Sequence, residues 1–216
     1  MKISDLKKYY GDKKIYDGFN LEIKDGEVVA LLGRSGSGKT TLLNVLAGLT
    51  DYEGNVEGVD GVSFVFQSDR LVPNLTVEEN IKLVSPDADI PYLLAMSGLE
   101  NAGGLYPKEL SGGMARRVAL LRACSFKSNL MLLDEPFRNL DLALKLSMGK
   151  TFKDLWEKDG RTCILVTHDV EEALSLAKRV IIIEQGEIVY DKYVSDKQKT
   201  YGEIKEVMLA ETIAKD

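Results

Sequence analysis

The chain has 216 residues, 44% hydrophobic and 29% charged, so it is long enough to bury a substantial core and is expected to form one large domain. No apolar run approaches the roughly 20 residues of a membrane-spanning helix, and the charged N-terminus has no apolar signal segment, so we expect the protein to stay in the cytoplasm. The formal net charge of −6 argues against nucleic acid as the main partner, because duplex binding needs a basic face.

Residues 2–24 predict an antiparallel β layer. Short β-like pieces alternate there with turn signals at Tyr10–Asp12 and Asp17–Gly18, and Phe19–Ile23 alternates apolar and polar residues. Tyr10 lies in a turn 29 positions before Lys39 (39 minus 10), where an aromatic ring can stack on a base. A turn tyrosine more often packs on the surface, so its own position leaves both interpretations open.

The stretch Gly33–Thr41 matches the phosphate-loop pattern G-x-x-x-x-G-K-[ST], which ends here in Lys39 and Thr40. It follows the apolar run Val28–Leu32, typical of a strand buried in a parallel sheet, and precedes a predicted helix, Thr40–Ala47. Glycines let backbone N–H groups surround an anion, and the lysine and the helix dipole add positive charge. The sequence therefore predicts a nucleotide site with the threonine hydroxyl on magnesium. A flexible Gly/Ser linker, the alternative, has no reason to end in Lys-Thr between two apolar segments.

The next predicted strand is followed by a polar residue, Gln67. Gly48–Gly61 is rich in Gly and Asp and predicts a turn followed by a short hairpin, and Val62–Phe66 predicts a strand that ends on Gln67. Ligands bind at the carboxyl ends of strands in open α/β sheets, so this glutamine is a candidate site residue. Prolines punctuate residues 68–109, which predict a small helical insertion with helices at Thr76–Leu83 and Ile90–Ser97.

Leu110–Met114 leads into a predicted helix, Ala115–Phe126. Ser111 is a good N-cap, and the two glycines behind it leave backbone N–H groups open. These features fit a second anion-binding site as well as they fit a simple capped helix, and the residues alone do not decide between the two.

Two carboxylates follow the predicted buried strand Leu130–Leu133. Asp134 can hold magnesium through water, and Glu135 can activate a water on the γ-phosphate. Both point toward the phosphate loop if the two strands are neighbours. The alternative is the acidic pair of an ordinary turn.

The single histidine, His168, follows another predicted buried strand, Thr162–Thr167. A lone histidine is usually incidental, but Gln67 and Asp134 also stand at strand ends, so three polar residues are expected to converge. The two cysteines, Cys124 and Cys163, fit no metal or redox spacing, and we expect them to pack as small apolar residues in a reducing compartment. The remaining predicted elements are helices Leu142–Lys158 and Glu171–Ala177, a hairpin of Val180–Glu184 and Glu187–Asp191, and a tail helix Tyr201–Ala214.

In this order, the motifs resemble those of the ATPase subunit of ATP-binding cassette (ABC) transporters over nearly the whole chain. The resemblance implies the α/β P-loop NTPase fold of ABC ATPases, with a mostly parallel core sheet, an N-terminal antiparallel β layer and a small helical subdomain. It implies a single domain over residues 1–216, with the helical subdomain at about 68–126. Val65–Gln67, Glu135–Phe137 and Thr167–Ala173 look most like importer subunits, particularly those for nitrate, sulfonate or taurine-like solutes.

The resemblance also implies ATP and Mg²⁺ as ligands and assigns roles to the site. Lys39, Glu135 and His168 are the implied catalytic residues, with Glu135 polarising the attacking water and His168 contacting the γ-phosphate. The implied magnesium residues are Thr40, Gln67 and Asp134, and Tyr10 takes the place of the adenine-stacking ring. The implied nucleotide-contacting residues are Tyr10, Gly33, Ser35, Gly36, Ser37, Gly38, Lys39, Thr40, Thr41, Gln67, Ser111, Gly112 and Gly113.

In this family two cassettes pair head to tail, with each ATP between one subunit's phosphate loop and the other's signature at Ser111. The implied partners are a second copy or a homologous ATPase subunit, a transmembrane permease docked near Leu71–Leu75, and a solute-binding protein. The implied location is the cytoplasmic face of the cell membrane, with no nucleic acid bound. The chain departs from the family at Met114, where glutamine is usual, and at Arg138 and Asn139, where small residues are common.

Three other functions are weighed against this interpretation. An ABC exporter subunit shares the motifs. Soluble ABC proteins that act mechanically on DNA or ribosomes carry long coiled-coil insertions or two fused cassettes, and this chain has neither. A phosphoryl-transferring P-loop kinase leaves the signature at Ser111 and the switch position of His168 unexplained.

Overall fold

The computed structural model describes residues 1–138 and 140–213, so Asn139 and the predicted end of the tail helix at Ala214 lie outside the described residues. Within that part of the chain, the tail helix begins at Lys197, four residues before the predicted Tyr201. The strands are β1 (Lys2–Tyr10), β2 (Lys13–Glu22), β3 (Val28–Leu32), β4 (Glu53–Glu57), β5 (Val62–Val65), β6 (Leu130–Asp134), β7 (Thr162–Val166), β8 (Arg179–Glu184) and β9 (Glu187–Tyr193), and the α-helices are α1 (Lys39–Leu46), α2 (Val77–Lys82), α3 (Ile90–Met96), α4 (Gly112–Ser125), α5 (Leu142–Asp159), α6 (Val170–Leu176) and α7 (Lys197–Ile213).

Two sheets organise the described residues. The first is antiparallel, with strand order β2-β1-β4, and the second has the order β5-β6-β7-β3-β8-β9. In the second sheet only β9 runs antiparallel to its neighbour. Every residue of β3, β6 and β7 is buried, as their continuous apolar runs predict for central parallel strands covered on both faces. The predicted α/β fold with an antiparallel β layer and a mostly parallel core sheet is confirmed.

The core lies on both faces of the six-stranded sheet, and the alternation of side chains along β3 divides it. Val28, Ala30 and Leu32 pack on the face covered by α5 and α6. Val29 and Leu31 pack on the face covered by α1 and the antiparallel sheet. A third cluster joins α2, α3 and the middle of α4.

Two predictions about local structure in the first third of the chain are wrong. The predicted hairpin within Gly48–Gly61 is a single strand, β4, which pairs with β1 and not with a neighbour in sequence. The predicted turn at Asp17–Gly18 lies inside β2, where Gly18 has φ +81° and the pairing with β1 is irregular. A glycine with positive φ marks a bulge as readily as a turn, and the long β1 edge supplies the partners that a local hairpin would otherwise need.

The strand order differs from the one expected to bring the carboxylates after β6 close to the phosphate loop after β3. The strands β3 and β6 are not neighbours, because β7 lies between them. The three strands are parallel and in register, so all three end at the same edge of the sheet. The residues after them therefore meet there, and α1 brings Thr40 to Asp134 although their strands do not touch.

Candidate functional site

Two glycines set the shape of the phosphate loop between β3 and α1. Gly33 has φ +139°, and a Cβ there would lie 2.1 Å from the carbonyl oxygen of Ile183 on β8. Gly38 is the N-cap of α1 with φ +108°, and a Cβ there would lie 2.7 Å from the hydroxyl of buried Tyr16. No larger residue fits either position, so the two fixed glycines of the motif are required by packing as well as by backbone conformation.

Lys39 places its ammonium inside this loop. Its Nζ donates to the carbonyl oxygens of Gly33 and Arg34, both at 2.8 Å, and lies 3.2 Å from the Ser37 hydroxyl. Burial lowers the pKa of Lys39, and the nearby carboxylates, Glu184 foremost, oppose that shift. The charge is therefore held by oxygens that phosphate oxygens can replace.

A buried carboxylate that sequence reasoning missed fixes the start of the loop. Glu184, at the end of β8, accepts a hydrogen bond from the backbone N–H of Arg34 at 2.6 Å. The side chain is 5% exposed. Its position at the end of an apolar strand, like that of Asp134, was the available signal.

Thr40 and Asp134 form the part of the site that suits a magnesium ion. The threonine Oγ1 lies 3.1 Å from Oδ2 of the aspartate and 3.4 Å from its Oδ1. Burial raises the pKa of Asp134, while the hydrogen bond from Thr40 opposes the rise. Gln67 lines the same cavity. A hydroxyl, a carboxylate and an amide oxygen are hard ligands that magnesium accepts alongside phosphate oxygens and water, so these residues fit the implied ion.

Both the backbone conformation and the side-chain contacts of Glu135 are distinctive. Its φ is +47°, a left-handed conformation that is unusual for a residue other than glycine. Its Oε2 accepts from Nη1 of Arg138 at 2.9 Å, and its Oε1 lies 3.5 Å from Nδ1 of His168. The carboxylate therefore lies between a cation and the single histidine, at the edge of the sheet where Asp134 ends β6.

Most of the predicted site residues line two adjoining cavities, with volumes of about 340 and 420 Å³. Ser35, Lys39, Glu135 and Arg138 line both cavities. Tyr10, whose side chain is half exposed, lines the first cavity. The other predicted residues of the first cavity are Gly36, Gly38, Thr40, Thr41, Gln67 and Asp134, and those of the second are Gly33 and His168.

The signature glycines do not join these cavities. Ser111 is the N-cap of α4, as predicted, and its Oγ accepts from the backbone N–H of Met114 at 3.2 Å. Ser111, Gly112 and Gly113 line neither cavity. Gly113 packs against α5, where an added Cβ would lie 2.6 Å from the Leu144 side chain. Ser37 is buried inside the loop, where its hydroxyl contacts Lys39.

The second cavity also contains Lys145 and Glu172, which sequence reasoning did not select. Lys145 on α5 donates to Asp169 at 3.1 Å. Burial raises the pKa of the Glu172 carboxyl to about 7, with the charge of Asp169 adding to the rise and that of Lys145 opposing it. Its buried Oε1 accepts no hydrogen bond from the described residues. Glu172 lies inside the importer-like stretch Thr167–Ala173, which was the available signal.

The surface expected to meet a permease is less exposed than predicted. Leu71, Val72 and Leu75 are all partly buried, and Leu71 packs against the cluster of α2, α3 and α4. Asn80, fully buried, shapes this loop, since its side chain accepts from Val72 N at 2.8 Å and donates to Leu75 O at 2.9 Å. Among residues 1–138 and 140–213, no helix is long and apolar enough to cross a membrane.

The parallel sheet, the phosphate loop and the helix that starts from it define a P-loop nucleotide-binding protein. The chain belongs to the ABC transporter family, since the model for "ABC transporter" matches residues 16–138, more than half of its length. As predicted, it is an ATPase cassette of that family.

Relatives and solved structures agree with this assignment. The chain is 41% identical to the aliphatic sulfonates import ATP-binding protein SsuB of Ralstonia nicotianae, over 88% of this chain and 72% of the relative. It is 38% identical to a probable sulfate/thiosulfate import ATP-binding protein, CysA of Chlorella vulgaris, over 87% of this chain and 88% of the relative. A dimeric structure of the ATP-binding cassette MJ0796 in a post-hydrolysis state, bound to ADP and Pi, superposes with a TM-score of 0.78 at 30% identity, covering 90% of this chain and 99% of that one. The predicted ABC ATPase fold is confirmed.

Proposed function

We propose that the chain is the ATP-hydrolysing subunit of a membrane importer, and that it works at the cytoplasmic face of the cell membrane. The observation that carries the proposal is the meeting of Thr40 and Asp134 at 3.1 Å beside Glu135, at the edge of the sheet where the phosphate loop begins. The import proteins for sulfonates and for sulfate/thiosulfate among its relatives support the direction of transport. A single domain spans residues 1–216 in this proposal, with α2–α4 forming a helical subdomain over about 68–126.

The phosphate loop and Lys39 bind the triphosphate. Backbone N–H groups of Gly33–Thr41 and the N-terminus of α1 face the anion, and the ammonium moves from loop carbonyls to phosphate oxygens. Tyr10, which lines the first cavity, stacks on adenine.

Thr40, Gln67 and Asp134 would hold a magnesium ion. When bound, the ion neutralises the phosphates and orients their oxygens. The buried Asp134 needs this positive charge, because desolvation disfavours its ionised form.

Glu135 accepts the proton of the attacking water, and His168 contacts the γ-phosphate. Both side chains line the second cavity, and they lie 3.5 Å apart there. A base held in a fixed position next to the attacking water orients that water toward the γ-phosphate and also accepts its proton.

The hydrolytic site is completed by a second copy or a homologous subunit. Ser111, Gly112 and Gly113 line neither cavity of their own subunit, although the α4 N-terminus they form can bind an anion. The dimeric, ADP- and Pi-bound MJ0796 cassette supports the pairing of two subunits. In the head-to-tail pair that the family resemblance implies, this signature faces the partner's nucleotide.

The permease docks on the loop around Val72–Leu75, next to Gln67, and a solute-binding protein delivers the solute from outside. Affinity purification of the tagged chain from its native membranes tests this proposal. We expect recovery with a multi-span permease, loss of that permease with Leu75→Glu, and its retention with Leu49→Glu, a control whose leucine is 56% exposed and lies three residues after the end of α1. Recovery only from the soluble fraction, together with DNA or ribosomes, would instead support the mechanical alternative.

A further inference from the structure

Arg116, on the first turns of α4, joins three segments of the site through one buried guanidinium. The residue is 5% exposed. Its Nε donates to Pro136 O at 2.6 Å, and its Nη2 donates to Glu135 O at 2.8 Å. Its Nη1 donates to Phe66 O at 2.7 Å and to Asp69 Oδ1 at 3.1 Å. The helix behind the signature is thereby linked to the backbone of Glu135 and to both sides of Gln67.

The backbone that Arg116 holds is strained. Glu135 has φ +47°, and a non-glycine residue keeps such a strained conformation only when its surroundings enforce it. Val166 O accepts from the Glu135 N–H at 2.9 Å on one side of this residue. Arg116 binds the carbonyl oxygens of Glu135 and Pro136 on the other side. Both peptide groups that flank the Glu135 Cα are thus fixed, and so is the direction of its side chain.

We propose that Arg116 is a positioning residue for ATP hydrolysis: it holds the main chain of Glu135 in the conformation that aims the carboxylate into the cavity. This inference rests on the proposed role of Glu135 as the base. Arg116 lines neither cavity, and it acts only through the residue it holds.

The chemistry of the position requires arginine. The planar guanidinium carries five N–H donors at fixed angles and serves four acceptors on two segments, 66–69 and 135–136, at once. A lysine offers three donors on one atom, which cannot lie beside Phe66 O, Glu135 O and Pro136 O together. Methionine matches the stem but donates nothing.

The same contacts make the position of Glu135 depend on the position of α4, the helix that begins at the signature. Arg116 stands five residues after Ser111 on a rigid helix, about 7 Å along its axis. When the partner's phosphate binds at Ser111, any displacement of α4 moves the guanidinium and the Glu135 carbonyl with it.

Arg122 provides a matched control on the same helix. Its guanidinium donates to Arg70 O at 2.9 Å and to Asp69 O at 3.2 Å, so it also fastens α4 to the segment after Gln67. None of its hydrogen bonds reaches Glu135 or Pro136. Loss of Arg122 therefore loosens the same segment without releasing the base.

The test compares steady-state hydrolysis and nucleotide affinity in Arg116→Met and Arg122→Met. We expect Arg116→Met to lower kcat by about 10- to 100-fold, on the scale of a misplaced catalytic group, with KM and ATP affinity within about twofold of the parent. Arg122→Met should keep kcat within about twofold. Equal kcat losses in both variants, an unchanged kcat in Arg116→Met, or a loss carried by KM would overturn the proposal. If Arg116→Met does not fold, Arg116→Lys decides, with a fall in kcat at constant KM expected and an unchanged kcat contradicting it.

A Glu135→Gln background separates positioning from general destabilisation. Single-turnover hydrolysis in Glu135→Gln should not fall further when Arg116→Met is added, because the base it positions is already gone. A further fall of the same size would show that Arg116 acts elsewhere and would sink the inference. If Glu135→Gln itself hydrolyses at the parental rate, the proposed function fails first, and the role of Arg116 fails with it.

Discussion

Replacement of Glu172 by glutamine is expected to stabilise the protein at pH 8 far more than at pH 5. Burial raises the pKa of this carboxyl from 4.5 to about 7; a hydrogen bond with Thr167 and the charge of Lys145 oppose the rise, and the charges of Asp169 and Glu135 add to it. For an acid whose folded pKa is raised, the unfolded chain loses its proton first as pH increases. The folded state therefore binds more protons between pH 4.5 and about 7, and stability falls with pH across that window.

The size of the effect follows from the two pKa values. A pKa difference of one corresponds to about 1.4 kcal/mol, so the full cost of ionising Glu172 is about 3 kcal/mol above pH 7 and under about 1 kcal/mol at pH 5. Glutamine keeps the shape and carries no charge. Relative to the parent, the unfolding free energy of Glu172→Gln should therefore rise by about 2 kcal/mol more at pH 8 than at pH 5.

Urea unfolding at the two pH values measures this difference, because all other titrating groups are shared and cancel. In thermal unfolding it corresponds to about 4–8 °C for a domain of this size. Glu171→Gln, a change at an exposed neighbour on the same helix, is the control and should show no such pH dependence. Parallel stability profiles for Glu172→Gln and the parent from pH 5 to 8 would refute the reasoning.

Three further changes address the nucleotide site. Lys39→Ala should abolish tight ATP binding or turnover, because backbone donors alone cannot replace the ammonium; hydrolysis at the parental rate would show that the site is misassigned. Tyr10→Ala should weaken binding of a fluorescent nucleotide by about 1–3 kcal/mol while Tyr10→Trp keeps it, and equal affinity for the alanine variant would return the residue to surface packing. Gly33→Ala should lower the melting temperature more than Gly36→Ala, since only the first Cβ meets the Ile183 carbonyl, at 2.1 Å, and equal losses would contradict that contact.

The sequence predicted the elements that local pattern determines. The phosphate loop, the buried runs of β3, β6 and β7, and the N-cap at Ser111 need only neighbouring residues to be recognised. Asp134 was expected to point toward the phosphate loop if β3 and β6 were neighbours, and it meets Thr40 at 3.1 Å although β7 lies between the two strands.

Long-range partners explain what the sequence did not predict. The partner of β4 is β1, some fifty residues earlier, so local turn signals suggested a hairpin. In the sequence Arg116 is an ordinary polar residue of a predicted helix. Only the structure shows that its guanidinium donates to the carbonyl oxygens of Phe66 and Glu135. Arg138 was noticed only as a departure from the family, and its contact with Glu135 at 2.9 Å gives that departure a structural meaning.

The central claim, an ATP site completed by two subunits with Glu135 as the base, is tested most directly by the mass of Glu135→Gln in solution. Glutamine cannot take the proton, which typically costs about 10²–10⁴ in rate, while loss of a negative charge near the γ-phosphate leaves ATP affinity equal or higher. Size-exclusion chromatography with light scattering should show roughly doubled mass with ATP and magnesium and a monomer with ADP. Adding Ser111→Arg should abolish the dimer by blocking the opposite subunit's phosphate. A Glu135→Gln protein that stays monomeric at high ATP, or hydrolyses ATP at the parental rate, would contradict the account.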